Sequence, residues 1–169
     1  MLHSQDILIL LKLSGDTERG PWLQQDVAWE LGLSPAELHK ALARAANAGL
    51  YEPKDRKVMR QALIEFLVHG LKYVFPAHLG GPSRGMPTAW AAPVLAGKIV
   101  SNETERPVWP HADGKARGPS VIPLYASAPE AAGRDSRLYE LLALVDTLRL
   151  GAARERKLAA ELLREKLAS

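Results

Sequence analysis

The sequence predicts a mostly α-helical protein in three parts, and three observations carry that expectation. Apolar residues recur at helical spacing near both ends of the 169-residue chain. Nine of the twelve prolines fall between Pro76 and Pro129, and seven of the thirteen glycines lie between Pro76 and Gly133. The expected layout is a helical unit over residues 1–75, a Pro/Gly-rich irregular segment over 76–135, and a helical hairpin over 136–169.

The first helix is expected from Ser4 to Leu13, with Ser4 as cap, Asp6 at the positive end, and Ile7, Leu10 and Leu11 on one face. Gln24 to Leu31 repeats the spacing with Val27, Ala28 and Leu31, and Gly32 suits a left-handed C-terminal cap. The next helix has the clearest start in the chain: Ser34 as cap, Pro35 at the first helical position, and Glu37 completing a capping box. Leu38, Ala41, Leu42 and Ala45 share its inner face, and Gly49 ends it. Leu50 to Met59, with Lys54, Asp55, Arg56 and Lys57, reads as a small hairpin or tight loop. From Arg60 to Val74 the spacing of Leu63, Phe66, Leu67, Leu71 and Val74 predicts one further helix, stopped by Pro76.

In the middle segment only Val94 to Val100 and Val121 to Tyr125 read as strand fragments. Gly80 to Gly85 offers backbone N–H groups and Arg84 to a phosphate, but it lacks the Lys-Ser/Thr ending of a P-loop and reads first as a surface turn. Trp90, Trp109, Tyr73, Phe75 and Tyr125 are expected to pin this segment onto a neighbouring helix, the alternative being that they line a ligand pocket. In the last part, Leu138, Leu141, Leu142, Val145 and Leu148 form one stripe and Leu158, Leu162, Leu163 and Leu167 another, with Gly151 at the junction. These stripes are a candidate dimerisation or partner-binding element.

Composition narrows the function classes. With no cysteine, disulfide frameworks, thiolate metal sites and thiol nucleophiles are excluded. The longest uncharged stretch, Gly85 to Gly97, contains two prolines and falls well short of a membrane span, and the run Ile7 to Leu11 is too short for a signal-peptide core. A cytoplasmic protein without membrane attachment is expected. The five histidines, His3, His39, His69, His78 and His111, lack metal-ligand spacing. Ser83 and Ser120 follow Gly-Pro pairs rather than sitting in a nucleophile elbow. No catalytic residue, metal or cofactor is expected, and the chain does not read as an enzyme.

Two helices joined across Gly32-Leu33-Ser34, the second bearing outward polar residues, have the geometry that places a helix in the DNA major groove. The sequence from Gln24 to Leu50, QQDVAWELGLSPAELHKALARAANAGL, resembles the helix-turn-helix of winged-helix bacterial regulators of the MarR, ArsR and GntR types. The likeness rests on Ala28, Gly32-Leu33-Ser34 and Ala48-Gly49-Leu50, and covers residues 4–60. It departs from the family in the wing, because Glu52 to Met59 is short and polar where a usual wing alternates apolar residues. The resemblance implies an N-terminal winged helix-turn-helix whose helix over residues 35–48 reads double-stranded DNA.

On that reading Lys40 and Arg44 reach guanine edges or phosphates, and His39 and Asn47 hydrogen-bond at the flanks. Ser34 lies at the helix start, and Ala36 and Ala43 permit close approach. Lys54, Arg56, Lys57 and Arg60 hold the phosphate backbone. Between Ser34 and Arg60 six basic residues face three acidic ones, but over residues 1–75 the two signs balance at nine each. One copy is therefore expected to bind weakly, and a homodimeric repressor on a palindromic site is the expected form. The competing expectation is an antitoxin-like or adaptor protein that binds a protein partner through residues 76–169, with or without DNA autoregulation.

Overall fold

The computed structural model describes residues 1–15, 21–99 and 105–168. It is mostly helical. The first 75 residues form α1 (Ser4–Ser14), α2 (Gln24–Leu31), α3 (Pro35–Asn47), a hairpin of β1 (Tyr51–Glu52) and β2 (Lys57–Val58), then α4 (Arg60–His69) and α5 (Leu71–Val74). The middle holds β3 (Pro82–Pro87), β4 (Val108–Pro110), β5 (Ala116–Pro119) and α6 (Ala128–Arg134). The chain closes with α7 (Ser136–Leu150) and α8 (Ala153–Ala168), the expected helical hairpin.

Local chemistry sets most boundaries in the first part. Ser34 and Glu37 form the capping box of α3, with the Glu37 N–H donating to Ser34 Oγ at 3.1 Å and the Ser34 N–H to Glu37 Oε2 at 2.7 Å. Gly32 (φ 68°) and Gly49 (φ 78°) take the left-handed conformation that closes α2 and α3. α1 is capped one residue earlier than expected. His3 is the cap, because the Asp6 carboxylate reaches back to accept the His3 N–H at 2.9 Å. The single helix expected over Arg60 to Val74 is broken into α4 and α5 at Gly70, where the Phe66 ring packs against the glycine.

α1 differs from a surface helix with one apolar face. Every residue from Gln5 to Ser14 is buried, because α3 packs on one side and α7 on another. Its polar groups are satisfied by other elements. Lys12 Nζ pairs with Asp135 at 2.6 Å and with Glu30 at 2.7 Å, Gln5 Nε2 donates to Tyr125 Oη at 3.2 Å, and the Ser14 carbonyl accepts from Arg60 at 2.7 Å. α1 thus ties the N-terminal helices to the rest of the chain.

The middle segment corrects three expectations. Val94 and Leu95 lie in a short 3-10 turn begun by Pro93, not in a strand; Val100 lies outside the described residues. Val121 to Tyr125 is likewise no strand: the Val121 N–H donates to the Val108 carbonyl at 2.8 Å and the chain then turns towards α6. The strands instead form an antiparallel sheet, β4-β3-β5, with Gly85 opposite both Pro110 and Ala116. Gly80 to Gly85 is accordingly no simple surface turn, since Pro82 to Gly85 open the central strand. α6 has no counterpart in the expected layout.

The sheet is fastened to α7 through a buried carboxylate. Asp146 Oδ2 accepts from Thr88 Oγ1 and from Trp109 Nε1, both at 2.7 Å, while Oδ1 pairs with Arg149 at 2.8 Å. Tyr139 Oη donates to the Pro87 carbonyl at 2.5 Å. Trp109 is fully buried and Tyr125 half-buried, as expected of aromatics that pin the segment, whereas Tyr73 is exposed. α7 is buried nearly all round, and one continuous apolar core runs from Ile7 through Trp109 and Leu144 to Leu167. The stripe of α7, and Leu163 and Leu167 of α8, are consumed inside the chain. No helix among the described residues is long and apolar enough to cross a membrane.

Candidate nucleic-acid interface

α3 has two distinct sides. Leu38, Ala41, Leu42 and Ala45 are buried, while Ala36, His39, Lys40, Ala43 and Asn47 are exposed. The exposed set falls at offsets of three, four, seven and eleven residues from Ala36, so the structure brings these five expected residues onto one stripe. The two alanines leave the stripe shallow between polar groups.

Ser34 is exposed, but its hydroxyl already serves α3 as the cap. Its backbone N–H is the foremost cause holding the Glu37 carboxyl below the ordinary carboxylate range. Glu37 thus adds a negative charge beside the stripe at the start of α3.

Two expected contacts are withdrawn from this surface. Arg44 turns towards α1 and forks onto Asp6, which is fully buried. Its second amino group also donates to Gln5 Oε1 at 3.2 Å. Helical spacing alone leaves Arg44 on the flank, and a buried acid one helix away decides which way it points. Arg60 donates to the Ser14 carbonyl at 2.7 Å and to the Leu167 carbonyl at 2.8 Å, clamping the ends of α1 and α8.

The hairpin retains its cations. Lys54 and Lys57 are exposed. Arg56, at a left-handed φ of 53°, stacks 4.1 Å from the centroid of the Trp22 ring and donates to the Trp22 carbonyl at 2.9 Å. That contact latches the hairpin tip to the chain ahead of α2 while leaving the guanidinium at the surface. With Arg44 and Arg60 turned away, Lys40, Lys54, Arg56 and Lys57 face Glu37, Glu52 and Asp55, four basic residues against three acidic.

A groove of about 600 Å³ lies elsewhere, between α2 and the α6–α7 junction, lined by Lys12, Trp29, Glu30, Arg134, Asp135 and Leu138 among others. Trp29 is 72% exposed with the Arg134 guanidinium 5.4 Å from its ring centroid. The groove's buried cation, Lys12, is neutralised by two carboxylates. Among the described residues no three His, Asp or Glu side chains form a group able to hold a metal ion.

Comparison with family models, with curated proteins and with solved structures returns no match to this chain.

Proposed function

We propose that this protein binds double-stranded DNA as a transcription regulator, with the exposed stripe of α3 in the major groove and the β1–β2 hairpin along the phosphate backbone. The observation that carries the proposal is the stripe itself: Ala36, His39, Lys40, Ala43 and Asn47 lie together, opposite a fully packed face. A 13-residue helix is about 20 Å long, enough to present that stripe across a major groove about 12 Å wide. Asn47 offers the donor–acceptor pair that reads adenine, Lys40 a donor for guanine, and the alanine methyls contact thymine.

Support comes also from how α3 is held. Its capping box sets the start, and the Arg44–Asp6 fork fixes its rotation against buried α1, so the exposed groups are presented from a rigid element. The local excess of one positive charge makes a single copy a weak binder at physiological salt. Two copies on a palindromic repressor site would double that excess and match the two-fold symmetry of the DNA. Their contact would not use the buried stripe of α7.

The test is enrichment of duplexes from a random pool, followed by fluorescence anisotropy on the enriched site and on a scrambled one at two salt concentrations. The expected result is tight binding to the enriched site, weakened by about 1 to 3 kcal/mol in Asn47→Ala or Lys40→Ala. Failure to enrich any sequence, with both substitutions neutral, overturns the proposal.

A further inference from the structure

A second cationic surface lies on the sheet, far along the chain from α3. Arg84 of β3 stands directly opposite Arg117 of β5 in the antiparallel register. Residues so paired project from the same face, with Cβ atoms about 5 Å apart. Both arginines are exposed, and neither guanidinium has a hydrogen-bond or ion-pair partner among the described residues. Lys115 and Arg106 are exposed nearby in the chain, and the Arg106 backbone lies against Gly118, next to Arg117. Of the acids between Arg84 and Arg117, Glu103 lies outside the described residues, and Glu105 and Asp113 are exposed and bridge to none of these cations among the described residues.

Like charges placed opposite each other destabilise a sheet pair, and the register here has no freedom to separate them. A Cβ on Gly85 would lie 1.9 Å from the Trp109 carbonyl oxygen, one on Gly118 1.9 Å from that of Arg106, and one on Gly114 2.4 Å from the Gly85 backbone. Trp109 and Thr88 in turn anchor the sheet to Asp146 of α7. The backbones of the two arginines are therefore fixed side by side on a rigid frame, from which both guanidinium forks can reach one anion, and a bridging anion would relieve their repulsion. Planar forks match phosphate oxygens bidentately.

We propose that Arg84 and Arg117, supported by Lys115 and Arg106, form a phosphate-binding patch for the backbone of a nucleic acid, independent of base sequence. The patch does not depend on α3 reading DNA. It would add an electrostatic contribution to that surface, or act alone.

The experiment measures binding of the full chain to two unrelated oligonucleotide duplexes across a salt series, for wild type, the double variant R84Q/R117Q, and K40A. Each phosphate that the protein no longer neutralises flattens the log–log salt slope by about 0.9. The double variant is expected to flatten it by about 1.8 on both duplexes and to weaken binding at least about tenfold at about 50 mM salt. Its melting temperature should hold or rise, since a repulsion is removed. If K40A is neutral on both duplexes while R84Q/R117Q weakens both, the patch stands; the α3 reading fails separately, where K40A is neutral on a duplex enriched from the random pool. If R84Q/R117Q changes neither slope nor affinity, or if the wild type takes up inorganic tripolyphosphate but no oligonucleotide, the patch is overturned.

Discussion

Arg44 of α3 grips Asp6 of α1 with both sides of its guanidinium, Nη2 to Oδ1 at 2.7 Å and Nε to Oδ2 at 2.9 Å. Asp6 is wholly buried, whereas the Arg44 side chain keeps 22% of its surface exposed. The carboxylate is thus the vulnerable partner, and its hydrogen bonds raise the Arg44 pKa above its ordinary value against the opposing effect of burial.

Removing Arg44 leaves a buried carboxylate with only the His3 N–H as donor among the described residues. Arg44→Ala is expected to destabilise the protein by about 2 to 4 kcal/mol, somewhat below a fully buried pair because the arginine is part-exposed. Urea unfolding measures it. Arg44→Lys should recover only part of the loss, since an ammonium cannot span both carboxylate oxygens. A variant of unchanged stability that bound one DNA sequence alone less tightly would return Arg44 to the reading face.

Gly85 lies hard against the neighbouring strand β4. Gly85→Ala forces its Cβ to within 1.9 Å of the Trp109 carbonyl oxygen, which is backbone and cannot swing aside. The β3–β4 pairing must open, and Trp109 loses its place on Asp146. The expected loss exceeds about 3 kcal/mol, read as unfolding at lower denaturant than wild type. Gly81→Ala, which meets nothing within 4 Å, is the control and should cost little.

The quartet of Asp146, Thr88, Trp109 and Arg149 holds the middle segment on α7. Thr88→Val deletes one donor to a charged acceptor at nearly constant volume, so a loss of about 1.5 to 3 kcal/mol is expected. Asp146→Leu leaves Arg149 buried with only the Phe75 carbonyl as acceptor among the described residues and should cost about 3 to 5 kcal/mol. Combining the two should cost less than their sum, because each removes the same Thr88–Asp146 bond. Additive losses in a denaturation cycle would show that the bond contributes nothing of its own.

The sequence is most legible where structure is local. The capping box at Ser34, the left-handed Gly32 and the exposed stripe of α3 all depend on residues within a few positions of one another, and each follows from the local pattern. What escapes depends on partners distant in sequence. Asp6 and Arg44 are 38 positions apart and Thr88 and Asp146 58 apart, so nothing in either neighbourhood marks the pair. The sheet is hidden for another reason: β3 reads Pro-Ser-Arg-Gly-Met-Pro, with no apolar alternation, and is specified by glycines that allow close backbone approach. The strand signal in Val94 to Val100 fails because Pro93 starts a turn.

Lys12 and Asp135 give the fold a pH dependence with a definite sign. Burial alone would lift the Asp135 pKa, but hydrogen bonds from Lys12 and from the Leu138 N–H outweigh it and hold the carboxyl below its ordinary value. Burial opposes the charge of Lys12 as well, and its hydrogen bonds to Asp135 and Glu30 carry its pKa upward. A depressed acid contributes stability that is present above its unfolded pKa and lost as pH falls through the folded one, so this contribution fades below about pH 4. A raised lysine loses its contribution as pH climbs past about 10.4. Asp146 acts in the opposite direction to Asp135, because burial raises its pKa and its contribution declines as pH rises. Asp135→Asn isolates the charge, since asparagine still caps α7. Wild type should exceed this variant by about 1 to 2 kcal/mol at about pH 7, and the gap should close between about pH 4 and pH 2. Unfolding curves for both proteins across that range measure it, and a gap constant with pH would mean that the Asp135 charge does not stabilise the fold.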